Sequence, residues 1–113
     1  MMPRPRKRRF VQVPPLVNGF QPNRLPPWGR EEVVLPVEGL EAIRLNDFEG
    51  LDQETAADRM GVSRPTFGRI LSEARRIVAE VLVMGKVLRI EGGDFEMPPN
   101  RRRRRRRGRG GPF

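Results

Sequence analysis

The order of apolar and polar positions over residues 53–76 predicts two helices joined by a short turn. Gly61 lies at the turn, because glycine accepts the left-handed backbone conformation that such a change of direction requires. Small or apolar side chains stand around it at positions that two steeply crossing helices must bury: Ala56, Ala57, Met60, Val62, Phe67 and Ile70. This spacing is typical of a helix-turn-helix that reads DNA, although a helical hairpin that contacts no nucleic acid would share it.

The second helix is predicted to extend from Arg64 to about Met84. Ser63 before it is a good N-cap, Pro65 suits the first turn and Gly85 supplies a stop. One side of this helix is apolar along its whole length, through Phe67, Ile70, Leu71, Ala74, Ile77, Val78, Val81 and Leu82. At roughly 30 Å the helix is longer than DNA reading needs. Its apolar second half must therefore be covered by strands or by a second copy of the chain.

The opposite side of the second helix is small and basic near its start, which suits insertion into a major groove about 12 Å wide. The predicted DNA-binding residues are Ser63, Arg64, Pro65, Thr66, Gly68, Arg69, Ser72 and Arg76. Arg69 is the candidate for a base edge, since its guanidinium can donate two hydrogen bonds to guanine. Ser63 and Arg64 lie at the helix N-terminus, where bases or phosphates are within reach. Arg76 is expected to meet a phosphate, and an ion pair with Glu73 is the alternative for both Arg69 and Arg76.

Gly68 interrupts the second helix, which costs about 1 kcal/mol relative to alanine. Its position on the edge of the exposed side fits two interpretations. Either a DNA backbone approaches closely there, or the helix tolerates a local defect.

The remaining pattern predicts a small, mainly α-helical domain over residues 10–95 with a few short β-strands. A helix over residues 37–48 precedes the helix pair. Asp52 is the N-cap of the first helix of that pair, which is predicted over residues 53–60. Short strands are predicted over residues 10–13, 32–35 and 87–90. Residues 16–30 are rich in Pro, Gly and Asn and are predicted to form a loop that packs through Trp28.

Composition argues against enzymatic chemistry. The chain has neither cysteine nor histidine, which excludes disulfides, a thiolate zinc site, a thiol nucleophile and the commonest general base. Six carboxylates before the helix pair are expected to lie mostly on solvated helix faces: Glu31, Glu32, Glu38, Glu41, Asp47 and Glu49. We therefore expect no enzyme, no cofactor and no metal. No apolar run reaches the ~18 residues of a membrane span, so a soluble, cytoplasmic protein without a membrane partner is expected.

The formal charge of +9 is concentrated at the two ends of the chain. Residues 10–100 carry ten basic and 14 acidic residues, a net charge of −4, so the middle is mildly acidic. Blocks of like charge stay disordered and commonly bind nucleic acid, although a merely solubilising terminus is the alternative. We therefore predict a basic arm over residues 1–9 and a disordered, arginine-rich tail over residues 96–113. The residues expected to contact phosphates are Arg4, Arg6, Lys7, Arg8, Arg9, Arg101, Arg102, Arg103, Arg104, Arg105, Arg106, Arg107 and Arg109.

A resemblance to a known family supports the helix-turn-helix prediction. Residues 40–93, together with the opening MPRPRKRR and the EEVVL before the first helix, resemble the domain-of-unknown-function 134 family. The stretch LNDFEGLDQETAADRMGVSRPTFGRIL is also similar to region four of sigma factors, which reads promoter DNA. The resemblance implies DNA binding without naming a target. Many relatives have a cysteine near the position of Arg8, and its absence puts any metal or redox sensing in doubt for this chain.

We therefore expect sequence-specific binding of double-stranded DNA and a role as a transcriptional regulator, with the arms adding phosphate affinity. Helix-turn-helix proteins commonly bind paired half-sites as dimers, so a homodimer is expected. Two alternatives remain open. One is an RNA-binding or chaperone-like protein that acts through its Arg/Gly tail, and the other is an adaptor whose helices bind RNA polymerase or another protein.

Overall fold

A computed structural model describes residues 8–24, 26, 29, 31–93 and 95–97 of the chain. These residues contain three α-helices and five short strands. The strands are β1 (Arg9–Phe10), β2 (Gly19–Phe20), β3 (Glu32–Leu35), β4 (Val87–Ile90) and β5 (Phe95–Glu96). The helices are α1 (Val37–Ile43), α2 (Gln53–Met60) and α3 (Arg64–Met84). A π-helical segment, Arg44–Phe48, continues α1. Trp28 and most of the predicted arms lie outside the described residues.

The bounds of α2, α3, β3 and β4 agree with those predicted from the sequence. Local interactions at the helix ends explain the agreement. The Asp52 carboxylate accepts a hydrogen bond from the Thr55 N–H at 2.8 Å, which satisfies an otherwise unpaired donor in the first turn of α2. At the far end of α3, Gly85 has a φ of 69°, and its N–H donates to the Val81 carbonyl.

The strands form one sheet of three and one pair. Strand β4 lies in the middle of the sheet, antiparallel to β2 and parallel to β3. Strand β1 pairs with β5 in parallel, so the folded unit extends from Arg9 to at least Glu96. The sequence prediction differs here, because it gave a strand over residues 10–13 and neither β2 nor β5. A two-residue strand is too short to show an alternating pattern.

One of the two hydrophobic clusters lies between α3 and the sheet. Ile77 and Val81 from the second half of α3 pack with Leu35 of β3 and with Leu88 and Ile90 of β4. The apolar second half of α3 is therefore covered by strands, which was one of the two covers expected. The prediction that Leu82 belongs to the buried side of α3 is wrong, because this side chain is 77% exposed.

The predicted helix over residues 37–48 is also corrected. The α-helical part ends at Ile43. The π-helical segment that follows, Arg44–Phe48, has more residues per turn than an α-helix. This changes the direction of the side chains that follow. Leu45 stays fully buried, whereas Phe48 at the end of the segment is 83% exposed.

Two acidic side chains of α1 are buried, against the expectation that this group is mostly solvated. Glu41 is 1% exposed, and its carboxylate accepts three hydrogen bonds. Its carboxylate accepts two hydrogen bonds from the Arg44 guanidinium, both at 2.8 Å, and one from the Gln12 N–H at 2.9 Å. Glu38 is the other buried carboxylate. The Glu41 contacts tie the segment after β1 to the end of α1.

Glu41→Ala is expected to lower the free energy of unfolding by about 2–3 kcal/mol, because it removes two of the hydrogen bonds of half-buried Arg44, which keeps only Glu49, and leaves the Gln12 N–H without its acceptor. Glu41→Gln is the matched control, since its amide oxygen still accepts one hydrogen bond, and it should lose clearly less. Urea unfolding followed by circular dichroism measures both. Equal losses for the two variants would contradict the role given to the hydrogen bonds.

Candidate nucleic-acid interface

Helices α2 and α3 are held together by the second hydrophobic cluster. Ala56 and Ala57 of α2 are buried, and their small side chains let α3 approach closely. Phe67 and Leu71 from the first half of α3 fill the space beside them, together with Met60 from the end of α2. The first half of α3 is therefore fixed by its apolar side, and its other side stays at the surface.

The turn between the two helices depends on Gly61. Its φ of 68° and ψ of 32° lie in the left-handed region, as the sequence predicted. The N–H groups of Gly61 and Val62 close the end of α2 by donating to the carbonyls of Asp58 and Ala57. A side chain at Gly61 would also meet the Phe10 ring at 3.0 Å. Strand β1 therefore packs on the turn and supports it.

Three polar side chains form a connected network at the start of α3. The Ser63 hydroxyl accepts the Thr66 N–H at 3.3 Å, which confirms Ser63 as the N-cap. The same hydroxyl donates to Thr66 Oγ1 at 3.0 Å. The Arg69 guanidinium donates to that oxygen at 3.4 Å. Thr66 thus links the cap of the helix to the arginine one turn further on.

All eight residues predicted to bind DNA belong to α3 or to its N-cap. Ser63, Arg64, Pro65, Arg69, Ser72 and Arg76 are exposed, whereas Thr66 and Gly68 are half-buried. On a helix of 3.6 residues per turn, Pro65, Arg69, Ser72 and Arg76 follow one line along the exposed side of α3. We call this line the polar stripe.

The arginines of α3 differ in how they are paired. Arg76 forms ion pairs with Glu73 and Glu80, both at 3.1 Å, so the ion-pair alternative describes this residue. Arg75 contacts the Asp47 carboxylate at 2.6 Å and holds the pKa of that group below its ordinary value. Among the described residues, Arg64 and Arg69 form no ion pair. The two cations nearest the start of α3 are therefore available to an external anion.

Asp52 brings one negative charge to the same end of the helix pair. The Thr55 backbone N–H, and to a lesser degree the charge of Arg64, hold the pKa of its carboxyl below the ordinary value. Asp52 thus stays ionised near neutral pH and partly offsets the charge of Arg64.

The described residues include only the last two residues of the predicted N-terminal arm and the first two residues of the predicted C-terminal tail. Arg8 is exposed, but Arg9 belongs to β1 and is half-buried. Arg9 is therefore part of the folded unit rather than of a separate arm, and Glu96 at the other end pairs with that strand. The remaining arm residues, Arg4, Arg6, Lys7 and all the arginines after position 100, lie outside the described residues.

Sequence reasoning missed Gln53, which lies across the helix crossing from Gly68. The Gln53 side-chain oxygen is 3.7 Å from the point where a side chain at Gly68 would begin. Gln53 thus lies beside the start of α3, next to the edge of its exposed side. No spacing pattern identifies it, because the contact depends on the crossing of the two helices.

Residues 1–98 match the sequence family described as "Protein of unknown function DUF134". The chain belongs to the DUF134 family. A similar protein, the UPF0251 protein of Desulforudis audaxviator, is 53% identical over 100 residues, which are 88% of this chain and 65% of that relative. About a third of that relative therefore lies outside the match.

Two further relatives are matched over more of their length. The UPF0251 protein TTE1845 of Caldanaerobacter subterraneus is 54% identical over 85% of this chain and 81% of its own. The UPF0251 protein Rru_A1194 of Rhodospirillum rubrum is 46% identical over 89% of this chain and 76% of its own. No solved structure matches the chain significantly.

Within the described residues, no group of three or more acidic residues is arranged to hold a metal ion. None of the helices in that part of the chain combines the length and apolar character that crossing a membrane requires.

Gly68→Ala is expected to raise the free energy of unfolding by about 0.5–1 kcal/mol. The new methyl group would meet only the Gln53 oxygen, at an ordinary contact distance, and alanine costs less backbone entropy in a helix. Urea unfolding measures the change. A loss of stability would show that the helix crossing has no room for a side chain at this position.

Proposed function

We propose that this protein binds double-stranded DNA through a helix-turn-helix formed by α2, the turn at Gly61 and α3, and that it acts as a transcriptional regulator. The observation that carries the proposal is the contrast among the arginines of α3. Arg69 lies on the exposed side of the first half of the helix without an acidic partner among the described residues, whereas Arg75 and Arg76 are paired.

The start of α3 suits base recognition for two reasons. In a helix-turn-helix, the N-terminal residues of the second helix contact base edges in the major groove. Arginine can also donate two parallel hydrogen bonds to O6 and N7 of guanine. The contact from Arg69 to Thr66 Oγ1 at 3.4 Å keeps the guanidinium near the start of α3. Pro65 and Ser72 are small neighbours that leave room for the groove wall.

Ser63 and Arg64 fit phosphate contacts beside this reading position. The helix N-terminus carries a partial positive charge, which favours an anion. Arg76 has a different role in this proposal. Its two ion pairs would have to exchange for a phosphate, so Arg76 contributes less to binding than Arg64 or Arg69.

Most of the affinity is assigned to the basic arms. The middle of the chain is net negative, so the helix pair alone attracts DNA weakly. Phosphate contacts supply sequence-independent affinity, and base contacts supply selectivity. In this division the polar stripe selects the site, and the arginines at the two ends of the chain hold the duplex.

Arg69→Ala is expected to reduce discrimination between selected and unselected duplexes by about 1–3 kcal/mol, because one bidentate base contact is lost. Sites are selected from a random pool with the full chain and then titrated in gel shifts. Arg75→Ala is the matched control. It removes the same charge from the same helix, but from a side chain bound to Asp47, and it should leave the sequence preference unchanged.

The base-reading role is wrong if Arg69→Ala binds every selected sequence as tightly as the parent protein. Gly68→Ala adds a test of the two interpretations of that glycine. Weaker DNA binding by a variant that is more stable would favour close approach of the DNA backbone, and unchanged binding would favour a tolerated defect.

Removal of residues 100–113 is expected to weaken binding to all duplexes by a similar factor. Eight arginines are lost, and each neutralised phosphate contributes about −0.9 to the salt slope, so the slope should fall in magnitude by up to roughly 7. Gel-shift titrations between 50 and 200 mM salt measure it. A truncated chain with an altered sequence preference and an unchanged slope would contradict this division of roles. Preference of the full chain for single-stranded RNA, lost with the tail, would favour the RNA-binding alternative.

The exposed Phe48 favours a second candidate, the adaptor. A large aromatic side chain that is 83% exposed and flanked by Asp47 and Glu49 is suited to contact with another protein. It lies at the end of the π-helical segment before α2 and does not belong to the polar stripe. An adaptor would keep its protein partner after Arg64 and Arg69 are both replaced by alanine, whereas a DNA-binding protein would lose its site.

A further inference from the structure

The exposed side of α3 changes character along its length. The polar stripe ends at Arg76, and the same line continues through Ala79 to Val83, whereas Leu82 lies about 100° around the helix, at the edge of the buried side. All three of these later residues are exposed. Leu82 and Val83 are 77% and 80% exposed, although the opposite side of this helical turn is buried against the sheet. Two adjacent bulky apolar side chains in water at the end of a well-packed helix indicate a contact surface.

Strand β2 extends this surface beside the helix. Phe20 is 60% exposed and lines one groove together with Leu82. The apolar patch therefore consists of Ala79, Leu82 and Val83 of α3 with Phe20 of β2. Small Ala79 lies one turn before the two bulky residues, and a small residue at such a position lets a second helix approach closely.

The charges around the patch are compensated within the chain. Arg76 and Lys86, on either side of it, both contact Glu80; Arg76 also contacts Glu73, and Lys86 also contacts Glu31. These two cations and three carboxylates leave one negative charge per copy, so two identical surfaces placed face to face would bring together apolar side chains and ion pairs of small net charge. Repulsion between like charges, which usually opposes contact between two copies of one surface, is weak here.

We propose that Ala79, Leu82, Val83 and Phe20 form the interface of a two-fold symmetric homodimer, in which the C-terminal ends of two α3 helices pack against each other. An apolar centre with a rim of charged pairs is the usual composition of such an interface. The occupant of the patch is thus a second copy of this chain. The position of the patch on α3, beyond the polar stripe, leaves the first half of each helix uncovered.

The length of α3 fits this arrangement. Arg69 precedes Val83 by about four turns, which is roughly 20 Å of helix. Two such helices that meet at their C-terminal ends can place their Arg69 side chains up to about 40 Å apart. Half-sites one turn of DNA apart, at about 34–36 Å, fall within this reach. This last step rests on the proposed DNA-binding function, whereas the dimer itself does not.

The test is the mass of the full chain in solution without DNA, measured by sedimentation equilibrium over a range of concentrations. We expect twice the 13.0 kDa of one chain. Leu82→Glu should raise the dissociation constant of the dimer by about 30-fold or more, because the two-fold axis brings two carboxylates into the apolar centre. Its far-UV circular dichroism should match that of the parent, since the side chain is exposed in the single chain.

Leu16→Glu is the matched control. Leu16 is 74% exposed but lines a different groove, so this variant should keep the parent mass. A parent chain that stays monomeric overturns the proposal, as does a dimer that Leu82→Glu leaves intact. A monomeric parent whose melting temperature falls on Leu82→Glu substitution would show that the patch is covered from within the same chain, which also overturns it.

Gel shifts with one and two half-sites separate this proposal from the proposed function. If the dimer forms and no duplex is selected, the DNA-binding proposal fails and the dimer stands. If Leu82→Glu binds a single half-site like the parent but loses its preference for two half-sites about 10 base pairs apart, both proposals are supported. Equal preference for paired sites by the two proteins would contradict the dimer.

Discussion

The burial of one side of α3 along its full length is the constraint on which the rest of the structure depends. Phe67 and Leu71 in the first half pack against α2, and Ile77 and Val81 in the second half pack against the sheet. One continuous helix therefore belongs to both hydrophobic clusters and joins the helix pair to the strands. Because its buried side is fixed at both ends, the direction of its exposed side is fixed as well. The polar stripe follows that exposed side as far as Arg76, its line continues to Val83, and the apolar patch extends from there to Leu82 at the edge beside β2.

The features that could be predicted from the sequence depend on residues close together in the chain. Asp52 and Ser63 each cap a helix through the N–H three residues later, and Gly61 needs only its own φ to form the turn. Such signals survive any uncertainty about the tertiary fold. For the same reason the long α3 was predictable, since its buried residues recur within each turn of the helix. The eight candidate residues at its start follow directly from that helix.

The features that were missed depend on residues far apart in the chain. Strands β1 and β5 exist only because each pairs with the other, and Glu41 is buried only because the Gln12 N–H and Arg44 satisfy its carboxylate. The π-helical turn that exposes Phe48 has no characteristic amino-acid composition from which it could be predicted. At the candidate interface, spacing could not decide between an ion pair and an external contact for Arg69 and Arg76. The structure separates them, because Glu73 contacts Arg76 and not Arg69.

The ion pairs also change how the acidic middle of the chain bears on DNA binding. Much of that acidity is engaged locally, since Glu41 and Glu49 contact Arg44, Asp47 contacts Arg75, and Glu80 contacts Arg76 and Lys86. These pairs are short-range dipoles rather than free charges, and at physiological salt their field decays within about 8 Å. The acidic surplus therefore does not by itself prevent a duplex from reaching the start of α3. The acidic surplus limits the affinity of α3 for the duplex, and for this reason most of the binding affinity is assigned to the arms. Tethered arms raise the local concentration of the duplex around the polar stripe without discriminating between sequences, so a weak but selective helix is sufficient.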